Sequence, residues 1–311
     1  MKVPIVSIGV TSYNRPLGLD RLLSQLRNQT FRNIEIIISD NCSSDPRVST
    51  VARDHYEADD RIRFYRQSEN LGALINHEFV REQARGKYFL WAHDDDEFPP
   101  EYLAVCLKYF DAERTAVLIG PSCDRYLDGQ YWLTYDNWSS AGQSTYERLD
   151  RLIPDAFTYH WRFEQYFSGV FVRDAAPKQL SKDFKRQFHF FFVLSERGAL
   201  VHASELRLIK HTTKENLACH ASGIYYRRHR SLRWFGWEKV ESIQQCVPIT
   251  LQMLKTIITS SKLSVGEKGK LSGKCLAYFI RYSVGGEMER RRETFAIRAR
   301  LKRLVQRVWR T

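Results

Sequence analysis

The chain has 311 residues, 43% hydrophobic and 13% aromatic, which is too apolar for disorder and enough for one large domain, or one domain with an appendage. Its formal charge of +12 is uneven: nine Arg or Lys against three Glu fall between Gly285 and Thr311, so half the excess is a local feature. Six scattered cysteines with no short-spaced pair argue against a zinc site or a disulfide scaffold and point to a reducing compartment.

The N-terminus reads as a strand rather than a secretory signal, and no uncharged apolar run approaches bilayer-spanning length. The expected location is the cytoplasm, or the inner face of the cell membrane as a peripheral protein. Val3 to Val10 is β-rich and ends at the turn-forming Tyr13-Asn14-Arg15-Pro16. Leu19, Leu22, Leu23 and Leu26 then repeat at helical spacing and predict a helix over 17–29. The run Ile34 to Asp40 is nearly continuous apolar sequence, as expected of a parallel strand covered on both faces, and it stops at polar Asn41 to Asp45.

A polar helix from Pro46 to Tyr56, a short strand Ile62 to Tyr65 and a helix from Asn70-Leu71-Gly72 through Arg85 follow. Tyr88 to Ala92 reads as a strand, and Pro99-Pro100-Glu101 opens a helix. The βαβαβαβα order predicts an α/β fold: a mainly parallel, Rossmann-like sheet with helices on both faces, whose ligands bind beyond the carboxyl ends of the strands. Further on, the pattern predicts a strand at 116–119, β structure around 126–135, a strand near 169–172, a helix over 181–197, and short strands at 199–201 and 206–209. After Cys219 it is helical, over 236–260, 267–283 and 286–310. The expected division is 1–115 and 116–218 as two halves of one domain, then a helical region 219–311.

The most informative motif is His93-Asp94-Asp95-Asp96-Glu97, directly after the apolar strand. Adjacent carboxylates repel one another, and an ordered cluster at a strand end implies a compensating cation, most simply a divalent metal on a phosphate group. No glycine lies in Thr11 to Pro16, so neither the dinucleotide fingerprint nor the P-loop is met, which disfavours hydride transfer and ATP hydrolysis.

Taken in order, Val3 to Ile8 with Tyr13-Asn14-Arg15-Pro16, Ser39 to Asp45, Asn70-Leu71-Gly72, Gly86-Lys87-Tyr88 and the acidic run with Pro100-Glu101-Tyr102-Leu103 resemble the nucleotide-sugar half of family 2 glycosyltransferases of the GT-A fold. The likeness covers residues 3–110. It implies a metal-dependent, inverting transferase of surface polysaccharide assembly. Its donor would be a UDP-sugar, its cation Mn²⁺ or Mg²⁺, and its acceptor a hydroxyl of a glycan or a lipid-linked molecule.

By the same resemblance Thr11, Asn14, Arg15, Asp40, Asn70, Asp94 and Asp95 line the donor site, Asp40 taking the hydrogen of a base imide. Asp94, Asp95 and Asp96 share the metal role, because His93 stands where the family places its first acid. Lys210 and His211 correspond to a loop that closes over the diphosphate. The family's Glu-Asp pair at the start of the second-half helix is missing, which leaves His189 and Asp183 as candidate bases and Glu164 as a third.

At the C-terminus, Ile297, Leu301, Leu304, Val305 and Val308 share a helical face among six Arg or Lys. That pattern fits either an anionic membrane surface or packing on the domain itself. The rival functions are a sugar-phosphate nucleotidyltransferase, which would need a Gly- and Arg-rich first loop, and a non-catalytic basic module on membrane or nucleic acid. The acidic run would repel nucleic acid, so no such partner is expected.

Overall fold

The computed structural model of the protein describes residues 3–135, 138–158, 167–178, 187–213 and 243–290. In chain order come β1 (Val6–Ser12), α1 (Pro16–Arg27), β2 (Ile34–Asp40), α2 (Pro46–Ala58), β3 (Ile62–Arg66), α3 (Ala73–Glu82) and β4 (Tyr88–Ala92). This is the expected alternation. β1 lies between β2 and β4, parallel to both, and β2 pairs in parallel with β3. All of β2 and all of β1 except Thr11 is buried, which accounts for the nearly continuous apolar run of β2.

Local chemistry sets the helix ends. Pro16 and Pro46 occupy first turns, and the Asp45 carboxylate caps α2 by accepting from the Arg47 N–H. Leu19, Leu22, Leu23 and Leu26 are the buried stripe of α1, each contributing about 1.5–3 kcal/mol through burial.

The second half is more mixed than the sequence suggests. After a two-residue β5 (Asp96–Glu97) come α4 (Tyr102–Ala112), β6 (Ala116–Leu127), β7 (Gln130–Tyr135), α5 (Thr145–Thr158), β8 (Val170–Val172), α6 (Gln187–Arg197), β9 (Ala199–Thr212), α7 (Ile243–Thr259) and α8 (Val265–Arg290). The sheet runs β3-β2-β1-β4-β8-β6-β9-β5, with β7 on β6. β8 is antiparallel to both β4 and β6, whereas β6 and β9 are parallel.

Three expectations are corrected. The two short strands foreseen at 199–201 and 206–209 are one strand. Its register against β6 jumps from Pro121↔Ala203 to Ser122↔Arg207, and this bulge at polar Ser204-Glu205 looks in sequence like a break. The helix α5 was not foreseen, because Pro154 lies inside it and buried Arg148 sits on its inner face. α8 continues through Arg290, where a break at 284–285 was expected; residues 291–311 lie outside the described part.

Two apolar layers cover the sheet. One joins Leu19, Leu22, Val48, Ala52, Tyr102 and Cys106 to the strands. The other joins Val80, Phe89, Phe171, Phe191, Ile153, Met253 and Leu271, so α7 and α8 share a core with α5 and α6.

Candidate active site

The carboxyl ends of β1, β2 and β4 are knitted together by side chains from their loops. Asn14, at φ 55°, a left-handed conformation that asparagine tolerates, donates its N–H to Ser43 Oγ at 2.9 Å. Its Oδ1 accepts from Ser44 Oγ and the Asp45 N–H. Asn41 donates to Asn70 Oδ1 at 2.8 Å and accepts from the Leu71 N–H. Asn14 and Asn70 thus hold the rim of the crevice.

Asp40 is fully buried. Its Oδ1 accepts from the Ser43 N–H at 2.9 Å, and its Oδ2 takes Arg66 at 2.5 Å and Ser49 Oγ at 3.3 Å. These three bonds make Asp40 the anchor of the β2 loop.

The acidic run begins with a turn closed by the Asp96 N–H on the His93 carbonyl. The chain then pairs as β5, antiparallel to the end of β9, with Asp96 opposite Lys210 and Glu97 opposite Ile209. This register separates the acids. Asp96 is completely buried, accepts from Ser168 Oγ at 2.6 Å, and has Lys210 Nζ 3.0 Å from Oδ1 and 3.2 Å from Oδ2. Lys210 also donates to Ser168 Oγ at 2.8 Å.

Burial alone would raise the Asp96 carboxyl, but Lys210, His93 and Ser168 outweigh it and hold it below the usual range. Lys210 stays raised because Asp96 offsets its own desolvation. The strand pairing sets Asp96 and Lys210 against each other, so each neutralises the other's charge.

Asp94 is also buried, with Arg15 Nη1 2.7 Å from Oδ1 and Arg21 on its backbone carbonyl. Burial pushes its carboxyl up to about 6 against the pull of Arg15, and Asp95 adds to the rise. Asp95 is half-buried. Its carbonyl accepts from the His211 N–H at 2.8 Å, and its carboxylate has no hydrogen bond or ion pair among the described residues. His211 Nε2 meets Glu97 Oε1, and its ring lies 5.7 Å from that of Tyr126.

Thr11 faces this group through His77. The His77 Nδ1 lies 2.6 Å from the Ala73 carbonyl and must carry the proton there, leaving Nε2 as an acceptor. That Nε2 lies 3.4 Å from Thr11 Oγ1 and 3.3 Å from His93 Nε2. Burial and the neighbouring His93 hold His77 down to about 4, so it is neutral at pH 7.

The structure thus brings Thr11, Arg15, Asp94, Asp95 and His211 to the carboxyl ends of the strands, with Asn14, Asp40, Asn70, Asp96 and Lys210 tied into the loops and strand ends beside them. His189 sits in α6 among apolar neighbours, and burial with nearby Lys255 lowers it to about 4. Asp183 and Glu164 lie outside the described residues. The sequence reading missed His77, Arg66, Ser168 and Gly18. Arg66 closes a strand whose end reaches the crevice, a position that itself marks it. Gly18 lets α1 approach the acidic loop, since a Cβ there would lie 2.9 Å from the Asp94 carbonyl oxygen.

A parallel sheet whose strand ends hold an acidic loop opposite a Thr/Asn rim defines an α/β nucleotide-sugar transferase architecture of the GT-A type. The solved structure of Staphylococcus aureus TarS residues 1–349 superposes with a TM-score of 0.56 at 15% identity, over 89% of this chain and 72% of that one. The same TarS segment solved with UDP-GlcNAc gives 0.54 at 16% identity, over 89% and 73%.

The model of the family described as Glycosyl transferase family 2 matches residues 7–172, more than half of the chain, and the protein belongs to that family. Similar proteins include the putative glycosyltransferase EpsH of Bacillus subtilis, 33% identical over 119 residues, which are 38% of this chain and 34% of that protein. The GalNAc(5)-diNAcBac-PP-undecaprenol beta-1,3-glucosyltransferase of Campylobacter jejuni is 34% identical over 107 residues, 34% of each. The matched stretches span about a third of those relatives.

Proposed function

We propose that the protein transfers a sugar from a UDP-sugar to a hydroxyl of a glycan or lipid-linked acceptor, with inversion, in the assembly of a surface polysaccharide. The observation that carries the reading is the Asp95 carboxylate. It is the member of the acidic run left without an ion-pair partner among the described residues, at the mouth of the crevice. The Campylobacter relative named for an undecaprenol-linked substrate and the UDP-GlcNAc complex of TarS support the choice of acceptor and donor.

A divalent cation fits this donor set. Mg²⁺ and Mn²⁺ sites on nucleotides use one or two carboxylates together with substrate phosphates, and among the described residues no cluster of three His, Cys, Asp or Glu forms a ready cage. Asp95 would hold the ion, with Asp94 beside it; when bound, the ion offsets charge on the departing diphosphate.

The chain's own residues have distinct tasks in this reading. Thr11 and the Asn14–Asn70 rim bind the nucleoside. Arg15 keeps Asp94 ionised and supplies positive charge at the mouth. His211, oriented by Glu97, faces the leaving group. For the base, α6 runs from the crevice end of the sheet toward the opposite end, where Arg197 donates to the carbonyls of Asp174 and Ala176. Asp183, four positions before this helix, and His189, near its start, are the candidates to take the acceptor proton.

The test is calorimetric titration of UDP with and without Mn²⁺ on the wild type and Asp95→Asn, paired with an assay of UDP release from UDP-sugars. Asp95→Asn should lose the Mn²⁺-dependent gain in affinity and at least about a hundredfold in turnover, the scale of losing one electrostatic stabiliser. Unchanged Mn²⁺ dependence in Asp95→Asn would refute the assignment, and release of pyrophosphate in place of UDP would refute the reaction.

A further inference from the structure

The α7–α8 hairpin presents two apolar faces. Ile249, Met253, Ile257, Leu271 and Cys275 point into the second core layer. On the opposite side Leu251, Ile258, Val265, Leu276 and Ile280 are 60%, 61%, 88%, 45% and 47% exposed. Five of the twelve large exposed apolar residues in the described chain fall in this one stretch, so they form a concentrated surface and not the scatter normal to a globular protein. Surface helices ordinarily turn charge outward. On α8, the exposed positions 265, 266, 269, 270, 273, 276 and 280 carry Val, Gly, Gly, Lys, Gly, Leu and Ile, a single charge among seven.

The charges that frame this face share one sign. Between residues 243 and 280 there are five Lys and one Glu. That acid, Glu267, is spent on the N–H and Oγ of Ser264 at 2.8 Å, capping α8. Lys255, Lys262 and Lys270 are exposed. A second copy of this surface would bring lysine against lysine, and the basic segment 291–311 would meet the same repulsion. An anionic bilayer offers an apolar interior for the leucines and isoleucines and negative headgroups for the lysines. Among the described residues no helix is long and apolar enough to cross a membrane, which leaves a hairpin lying on the surface.

We propose that the outer face of α7–α8 docks on an anionic lipid surface. This face lies on α7 and α8 between Leu251 and Ile280, outside the residues assigned to sugar transfer. Its test reads lipid binding and needs no sugar transfer, so it stands or falls apart from the enzymatic reading.

The experiment is flotation of the full-length protein with vesicles of phosphatidylcholine alone or with phosphatidylglycerol. The wild type should float with the anionic vesicles and at least about tenfold less with the neutral ones, because the exposed lysines gain from negative headgroups. The variant Leu251→Ser/Ile258→Ser/Leu276→Ser/Ile280→Ser alters exposed positions only and should lose at least tenfold in binding, while its melting curve remains cooperative.

Gly269→Leu and Gly273→Leu provide the opposite arm. A Cβ at either meets nothing within 4 Å, so added apolar bulk should strengthen lipid binding several-fold, whereas a face built for close helix contact would be weakened. Equal flotation of the wild type and the serine variant, failure of the wild type to bind anionic vesicles, or a self-associated wild type that the serine variant makes monomeric would each overturn the proposal.

Discussion

Replacing Lys210 by Met removes the cation that neutralises Asp96, a fully buried acid. In the native arrangement Lys210 Nζ lies 3.0 and 3.2 Å from the two oxygens of Asp96 and 2.8 Å from Ser168 Oγ. The two side chains are 12% and 0% exposed. Breaking such a pair by removing one partner leaves an uncompensated buried charge, at a cost of about 3–5 kcal/mol. At roughly 2–4 °C per kcal/mol for a protein of this size, the melting temperature should fall by about 6–20 °C.

The double variant Asp96→Leu/Lys210→Met replaces the pair by apolar groups, which is often close to neutral. It should recover most of the loss, giving a large coupling energy in a double-mutant cycle. Thermal and urea unfolding of the wild type, both single variants and the double variant at pH 7.5 read this directly. Because Asp96 is assigned to Lys210 and not to the cation, the double variant should retain Mn²⁺-dependent UDP binding. Additive losses, a single-variant cost below about 1 kcal/mol, or a stable double variant without metal-dependent UDP binding would refute the reasoning.

Gly18→Ala places a Cβ 2.9 Å from the Asp94 carbonyl oxygen; the gain in helix propensity and the cost of overpacking, each of order 1 kcal/mol, should leave stability nearly unchanged. Donor kcat/KM should nevertheless fall about tenfold as the acidic loop shifts, a loss worth about 1.4 kcal/mol, and an unaltered value would contradict the role given to that contact. Arg66→Met leaves the fully buried Asp40 with only Ser43 and Ser49, and the urea midpoint should fall by the equivalent of about 1.5–3 kcal/mol, the worth of a hydrogen bond to a charged group. His189 is held at about 4 in the fold against about 6.5 unfolded, so the unfolded chain binds the extra proton and stability is lost as pH falls from about 6.5 toward 4. His189→Gln should remove up to about 3 kcal/mol of that loss, while His77 keeps a similar slope; an unchanged pH profile of the urea midpoint would count against it.

The first half of the fold was readable because its signals are local. A buried parallel strand writes itself as unbroken apolar sequence, and the leucines of α1 repeat at helical spacing, so β2 and β4 were read to the residue and α1 within two. The second half depends on contacts distant in sequence. β8 is three residues long and is held by β4 and β6, and β5 is two residues that exist as a strand only because β9 pairs with them. No pattern within Asp96-Glu97 announces that partner. Within the crevice the acidic run, Thr11 and the Asn14 rim were legible from their places at strand ends. The engagement of Asp40 by Arg66 and of Asp96 by Lys210 was not, since ion pairs 26 and 114 positions apart leave no periodic trace.

That pairing also explains how one acidic run can serve two purposes. Successive side chains of a strand point to opposite faces. Asp96 and Phe98 therefore go inward, fully and 96% buried, while Asp95 and Glu97 remain half-exposed. The facing strand alternates in step: Lys210 turns inward to Asp96 and His211 outward to Glu97. A one-residue slip would turn Asp95 inward against Lys210 and lift Asp96 to the outward side. The backbone bond from the His211 N–H to the Asp95 carbonyl and the Asp96–Lys210 ion pair oppose that slip together. The buried Asp96–Lys210 pair thus fixes the register that leaves Asp95 on the outward side.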